Sequence, residues 1–123
     1  SFTAGDTGIG GEYSFHSRFE DGPGANPEQL IAAAHAACFS MAFASRLAKN
    51  GTPATKLDVK AVITFDKGDA GWKIARSDLT VRGSVPGIDE ATFVELANDA
   101  KDGCPVSQAL KGNVELAVDA ALV

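Results

Sequence analysis

Residues 26–49 read NPEQLIAAAHAACFSMAFASRLAK, and this stretch decides the fold. Asn26 can take up free N–H groups of a first helical turn, Pro27 suits the first helical position, and Glu28 favours the positive helix end. Asn50–Gly51 follows as a stop signal. A helix is therefore predicted from Pro27 to about Lys49. Its middle, IAAAHAACFSMAFA, is apolar almost all round and dominated by alanine, which predicts burial on every side. Small residues also let a second helix approach closely, so a central helix or helix–helix seam is expected.

Outward from this helix the chain offers strands and shorter helices. The opening, Thr3 to Gly11, holds four glycines and is predicted as a loop. EYSFHSRF (12–19) places Tyr13, Phe15 and Ser17 on one face and is predicted as a strand, with DGPGANP (21–27) as a turn. KLDVKAVITFD (56–66) sets Leu57, Val59, Ala61, Ile63 and Phe65 against polar partners, a strand with one buried face. KGDAG turns the chain into a second long strand, Trp72–Val85, giving a hairpin. DEATFVELANDAK (89–101) has its apolar residues at helical spacing, and Gly103 ends it. Pro105 begins a short helix through Leu110, and VELAVDAAL (114–122) is the last strand. Strands and helices without a βαβ rhythm point to α+β, in a single domain spanning 1–123.

Composition narrows the function. With 45% hydrophobic residues and a net charge of −5, disorder is excluded. A pI near 4.8 argues against nucleic acid, which normally meets a basic face. Leu30–Leu47 is the longest apolar stretch, but it contains His35, Ser40, Ser45 and Arg46, so no membrane span is expected. The start shows neither a basic nor an apolar leader region, which makes a reducing cytoplasm the expected setting. No phosphate loop and no Ser-His-Asp spacing are present.

Chemistry centres on the two cysteines, Cys38 and Cys104. A lone pair in a reducing compartment is more often catalytic or metal-binding than a staple. Cys38 lies mid-helix, far beyond the first turn where the macrodipole acts. It is either an inert core cysteine or a nucleophile that needs a cation from elsewhere. Gly-Cys-Pro puts Cys104 at a helix N-cap, where free N–H groups favour negative charge on sulfur, unless it is merely a cap that happens to be Cys. A Cys₂His₂ zinc set of Cys38, Cys104, His35 and His16 is a rival, weak because the cysteines are single; His35 alone reads as a hydrogen-bonded core histidine. Arg18 and Glu28 have ordinary readings as a surface arginine and a helix-start acid.

NPEQLIAAAHAACFSMAFA, followed 66 residues after its cysteine by the cysteine of DGCPVSQAL, resembles the OsmC/Ohr family of bacterial thiol peroxidases, the OsmC branch in particular. SRFEDG before the helix and VPGIDEATF before Cys104 fit the same family. The resemblance implies reduction of organic hydroperoxides and hydrogen peroxide in stress defence, with Cys38 peroxidatic and Cys104 resolving. It implies that Arg18 is the active-site arginine and Glu28 its partner. It further implies an intertwined homodimer, with antiparallel sheets around two central Ala-rich helices, active sites at the interface, and no cofactor or metal. Dihydrolipoyl groups would serve as dithiol reductant. A non-enzymatic thiol sensor or zinc-binding protein is the alternative. The strand pair with a tryptophan that usually precedes the equivalent of Thr3 is missing here.

Helix geometry adds a condition. Ten residues at 1.5 Å rise set Glu28 about 15 Å along the axis from Cys38, too far for one arginine head to bridge. Either the helix breaks after Glu28 or the Glu28 orienting Arg18 comes from the other subunit, and the second is expected. An apolar pocket around Phe15, Phe39, Met41 and Phe43 is expected to suit an alkyl peroxide.

Overall fold

The computed structural model describes residues 1–19 and 23–123. It begins with two short antiparallel strands, β1 (Phe2–Thr3) and β2 (Gly10–Gly11), where the sequence predicts only a loop. Gly5 and Gly8 turn the chain with φ of 57° and 78°, a region open to glycine.

The strand predicted over 12–19 does not form. Its second half is a helical turn, α1 (His16–Phe19). Ser14 Oγ accepts the N–H of Ser17 at 3.0 Å, and this local side-chain bond draws the backbone into a turn. Only a single bridge, Tyr13 to Ala25, remains of the extended reading. The turn predicted over 21–27 lies partly outside the described residues.

Helix α2 (Pro27–Lys49) has the predicted bounds. Asn26 Oδ1 accepts the N–H of Gln29 at 2.9 Å, and Gln29 Oε1 accepts the N–H of Asn26 at 3.2 Å, a reciprocal cap. At the far end Gly51, with φ of 83°, and Thr52 donate their N–H groups to the carbonyls of Ala48 and Leu47.

β3 (Lys56–Gly68) and β4 (Gly71–Ser84) form the predicted antiparallel hairpin. Leu57, Val59 and Ala61 lie opposite Gly83, Val81 and Leu79, so these apolar side chains share one face. Two helices follow, α3 (Glu90–Gly103) and α4 (Pro105–Leu110), and then β5 (Glu115–Leu122). β5 pairs with β4 in parallel, so the sheet is mixed rather than antiparallel throughout. The two intervening helices provide the crossover that a parallel return requires.

The core sits between α2, α3 and the sheet. Phe39, Phe43 and Leu47 of α2 meet Leu79 and Val81 of β4 and Phe93, Ala97 and Ala100 of α3. Phe43 and Phe93 are in ring contact at 5.0 Å. By length and composition α2 is apolar enough to cross a bilayer, contrary to the reading from sequence; here it is the core helix of the domain. It is not buried on every side in the single chain. Glu28, His35, Phe39, Phe43 and Leu47 form one buried stripe, whereas Leu30, Ala33, Ala34, Ala37, Met41 and Ala44 are exposed. Alanine richness therefore marks two faces, one facing inward and one unpartnered within the chain.

Gly83 shows how tight the inner face is. A Cβ there would stand 2.9 Å from both Leu57 Cδ2 and Phe93 Cζ. Phe93 is fully buried against Phe43 and has no room to yield. Gly83→Ala is expected to cost about 1–3 kcal/mol, read as a lower urea midpoint at unchanged slope.

Candidate active site

Cys104 is the single residue between α3 and α4. Its N–H closes α3 on the Ala100 carbonyl at 3.0 Å, and its sulfur caps α4 by accepting the N–H of Ser107 at 3.4 Å. Pro105 takes the first helical position, as the sequence predicts. Cys104 is fully buried, and Cys38 of α2 is half-buried beside it. The two thiols, 66 residues apart in sequence, stand close enough for the Cys104 sulfur to affect the ionisation of Cys38.

The setting of Cys38 is mixed. Burial pushes its thiol above the ordinary range. The N–H of Val106, in the first turn of α4, pulls the other way, while the adjacent Cys104 sulfur pushes it up again. Among the described residues of the single chain, the Val106 amide thus favours the Cys38 thiolate and no cation does.

Arg18 stands elsewhere. Asn26 Nδ2 donates to the Ser17 carbonyl at 2.8 Å, tying α1 to the start of α2. That contact aims Arg18 at Glu28. Nε and Nη2 of Arg18 lie 3.1 and 3.0 Å from the two Glu28 oxygens, a fork on a largely buried carboxylate. The guanidinium also stands 5.2 Å from the Phe65 ring centre. Arg18 and Glu28 therefore pair within one chain, and the expectation that Glu28 would come from the other subunit is corrected. The helix between Glu28 and Cys38 is unbroken, so the pair is remote from its own Cys38.

Arg18 and Glu28 open onto a cleft of about 260 Å³, walled by Gln29, Ala32, Ile63 and Phe65. Phe65 stacks on Trp72, and Phe19 packs against both rings. The pocket expected from Phe15, Phe39, Met41 and Phe43 is not assembled. Phe39 and Phe43 are core residues, and Met41 is 76% exposed on the other face of α2. Helical position alone gave no sign of which aromatics would turn inward.

His35 is fully buried and bonded at both ring nitrogens. Nδ1 lies 2.7 Å from Ser77 Oγ and Nε2 lies 2.8 Å from Ser107 Oγ. With both nitrogens so engaged, the zinc set weighed from sequence is not gathered; among the described residues no three His, Cys, Asp or Glu side chains come together for a metal. Ser77 and Ser107 were missed in the sequence. Ser107 carried a usable signal, since it stands three residues after the cap, the position from which side chains reach back to it.

A neighbouring pair of free thiols, one buried and one part-exposed, on an α+β core is the arrangement of a dithiol redox protein. The family of OsmC-like proteins matches residues 20–119. The chain is 49% identical over 104 residues to peroxiredoxin OsmC of Escherichia coli (strain K12), covering 85% of this chain and 73% of that one. It is 32% identical over 106 residues to organic hydroperoxide resistance protein OhrB of Bacillus subtilis (strain 168), covering 85% and 75%. The crystal structure of OhrB of Bacillus subtilis superposes with a TM-score of 0.72 at 30% identity, over 81% of this chain and 73% of that one. The chain belongs to the OsmC-like family and is a cysteine-based peroxidase.

Proposed function

We propose that the chain reduces organic hydroperoxides, and hydrogen peroxide, by a cycle in which Cys38 is oxidised and Cys104 resolves it. The placement of the two thiols side by side, one buried and one part-exposed, carries this reading. The Cys38 thiolate attacks the peroxide O–O bond, an S–O bond forms, and an alkoxide leaves to be protonated as alcohol. The Cys104 sulfur then displaces hydroxide from the Cys38 sulfenic acid, forming the disulfide and releasing water. A dithiol such as a dihydrolipoyl group returns both thiols, in the reducing cytoplasm.

The cation that Cys38 lacks is supplied by a second copy of the chain. Two α2 helices crossing antiparallel near Ala33 would set the Glu28 turn of one against the Cys38 turn of the other, since 33 is midway between them. Ala33, Ala34 and Ala37 are exposed there and small enough for close approach. The Arg18–Glu28 pair of one protomer then serves the sulfur of its partner, in an interface site of a homodimer. Glu28 holds the Nε–Nη2 edge of Arg18 in place, and the remaining guanidinium N–H groups hydrogen-bond the thiolate and the developing alkoxide.

Thiol titration against cumene hydroperoxide tests the cycle. Two thiols are expected to disappear per peroxide consumed, and dihydrolipoamide is expected to sustain turnover. Loss of no thiols, or of one per peroxide with no disulfide, would refute it.

A further inference from the structure

Beyond the two sulfurs, a file of buried polar groups has no part in the cycle so far. Ser77, His35, Ser107 and Cys104 are each no more than 1% exposed. They are linked end to end: Ser77 Oγ to His35 Nδ1 at 2.7 Å, His35 Nε2 to Ser107 Oγ at 2.8 Å, and Ser107 Oγ to Cys104 Sγ at 3.0 Å. Cys38 is the neighbouring thiol beyond Cys104, near enough for the two sulfurs to influence each other. The file joins β4, α2 and α4 and ends on the reacting atoms. Satisfying one buried histidine requires no such connection to a thiol; either serine alone would occupy one ring nitrogen, and the second could meet a carbonyl.

We propose that Ser107 and His35 form the proton path that ionises Cys104 for its attack on oxidised Cys38. Ser107 touches the reacting sulfur, and His35 acts through it as a positioning residue. The inference rests on the assignment of Cys104 as the resolving cysteine.

Each link has a direction. In the competent tautomer Nδ1–H donates to Ser77, which leaves Nε2 free to accept from Ser107. Burial pushes His35 below its ordinary range, so the ring is neutral at pH 7 with its Nε2 lone pair towards Ser107, and the costly imidazolium is held only for as long as the sulfur attack lasts. The titratable groups that adjoin the file are the two thiols, Cys104 at the head of α4 and Cys38 on the helix that carries His35. The step balances as follows. The Cys104 S–H proton passes to Ser107 Oγ as the Ser107 proton passes to His35 Nε2. The freed electron pair forms the S–S bond while the S–O bond of the sulfenic acid breaks. The departing hydroxide receives the stored proton back through Ser107 and leaves as water. Cys104 is fully buried, so no solvent base reaches its proton directly.

The test separates the two halves of the cycle. Reduced wild type, His35→Gln and Ser107→Ala are each mixed with one equivalent of cumene hydroperoxide. Dimedone-trapped sulfenic acid reports the first half, and loss of the second thiol reports resolution. Glutamine keeps a hydrogen-bonding group towards Ser107 but accepts no proton. Peroxide consumption is expected to stay within about twofold of wild type. Disulfide formation is expected to slow about 100-fold or more, with sulfenic acid accumulating. Resolution in the variants is expected to climb about tenfold per pH unit, as an unassisted thiol must, against a flatter wild-type profile. Ser107→Thr restores the hydroxyl and is expected to restore the rate. A merely structural role would produce neither the steeper pH profile nor the rescue. Should His35→Gln fail to fold, the Ser107→Ala and Ser107→Thr pair carries the same test. Resolution at the wild-type rate in the variants, or a defect equal at every pH, would overturn the relay while leaving the cycle intact. Failure of the wild type itself to lose its second thiol would instead overturn the cycle, and the relay with it.

Discussion

Cys38→Ser protein is expected to show no peroxidase turnover above the uncatalysed background with cumene hydroperoxide and dihydrolipoamide. A serine hydroxyl does not stand in for a thiolate as a nucleophile toward an O–O bond, and Cys104, though next to it, is sealed from substrate. Cys104→Ser should behave differently. It loses one thiol to one equivalent of peroxide and then stalls, because no second sulfur displaces the hydroxide. Excess peroxide should drive Cys38 on to sulfinic acid, visible as a mass gain of two oxygens. The two variants together assign the roles. If Cys38→Ser kept substantial turnover and Cys104→Ser lost the first oxidation, the roles would be reversed. The amides at the start of α4 make that reversal conceivable from local electrostatics; the difference in exposure argues against it.

Arg18→Lys should slow the first oxidation by about 10²–10³, since one ammonium replaces a fork that holds Glu28 and an oxyanion together. Arg18→Ala should be worse, and its pH profile is informative. Burial holds Cys38 above its ordinary value, so without the guanidinium the thiolate fraction is small at neutral pH and grows as pH rises. The rate should therefore keep climbing into the alkaline range, where wild type has levelled. Which chain supplies the cation is settled by mixing. At neutral pH Cys38→Ser is expected to be inactive alone and Arg18→Ala to retain only about a hundredth or less of wild-type activity. Co-expressed, they should regain about a quarter of wild-type activity, because half the dimers are mixed and each mixed dimer has one complete site. No recovery in demonstrably mixed dimers would show that Arg18 does not act across the interface.

Much of the fold was legible because its signals are local. Asn26, Pro27 and Asn50–Gly51 bound α2, and Gly-Cys-Pro marks the joint at Cys104; both were readable within a few residues. Alternation marked the inner face of β3, where Leu57, Val59 and Ala61 face the core. What failed was non-local or competed locally. EYSFHSRF alternates well, yet one Ser14 hydroxyl turns its second half into α1. Alternation in 114–122 shows a strand but not its direction, and the parallel pairing of β5 depends on how far two helices carry the chain. Of the site, the motif residues were found through family resemblance, while residue physics alone left Cys38 undecided. His35 bonds to Ser77 and Ser107, which are 42 and 72 residues away, so its partners were not legible from sequence; Ser107 could be marked by its place after the Cys104 cap, whereas nothing set Ser77 apart.

In the proposed cycle the unequal exposure of the two sulfurs also sets how the disulfide would be recharged. An incoming dithiol must line up with the S–S axis from outside, and only the Cys38 end of that axis faces outward. Thiol–disulfide exchange therefore begins there, placing the transient mixed disulfide on Cys38 and making Cys104 the leaving group. Its departure is eased by the Ser107 amide that already points at it. The reductant accordingly meets the same mouth that the peroxide enters, and the two compete for one entrance instead of using opposite doors.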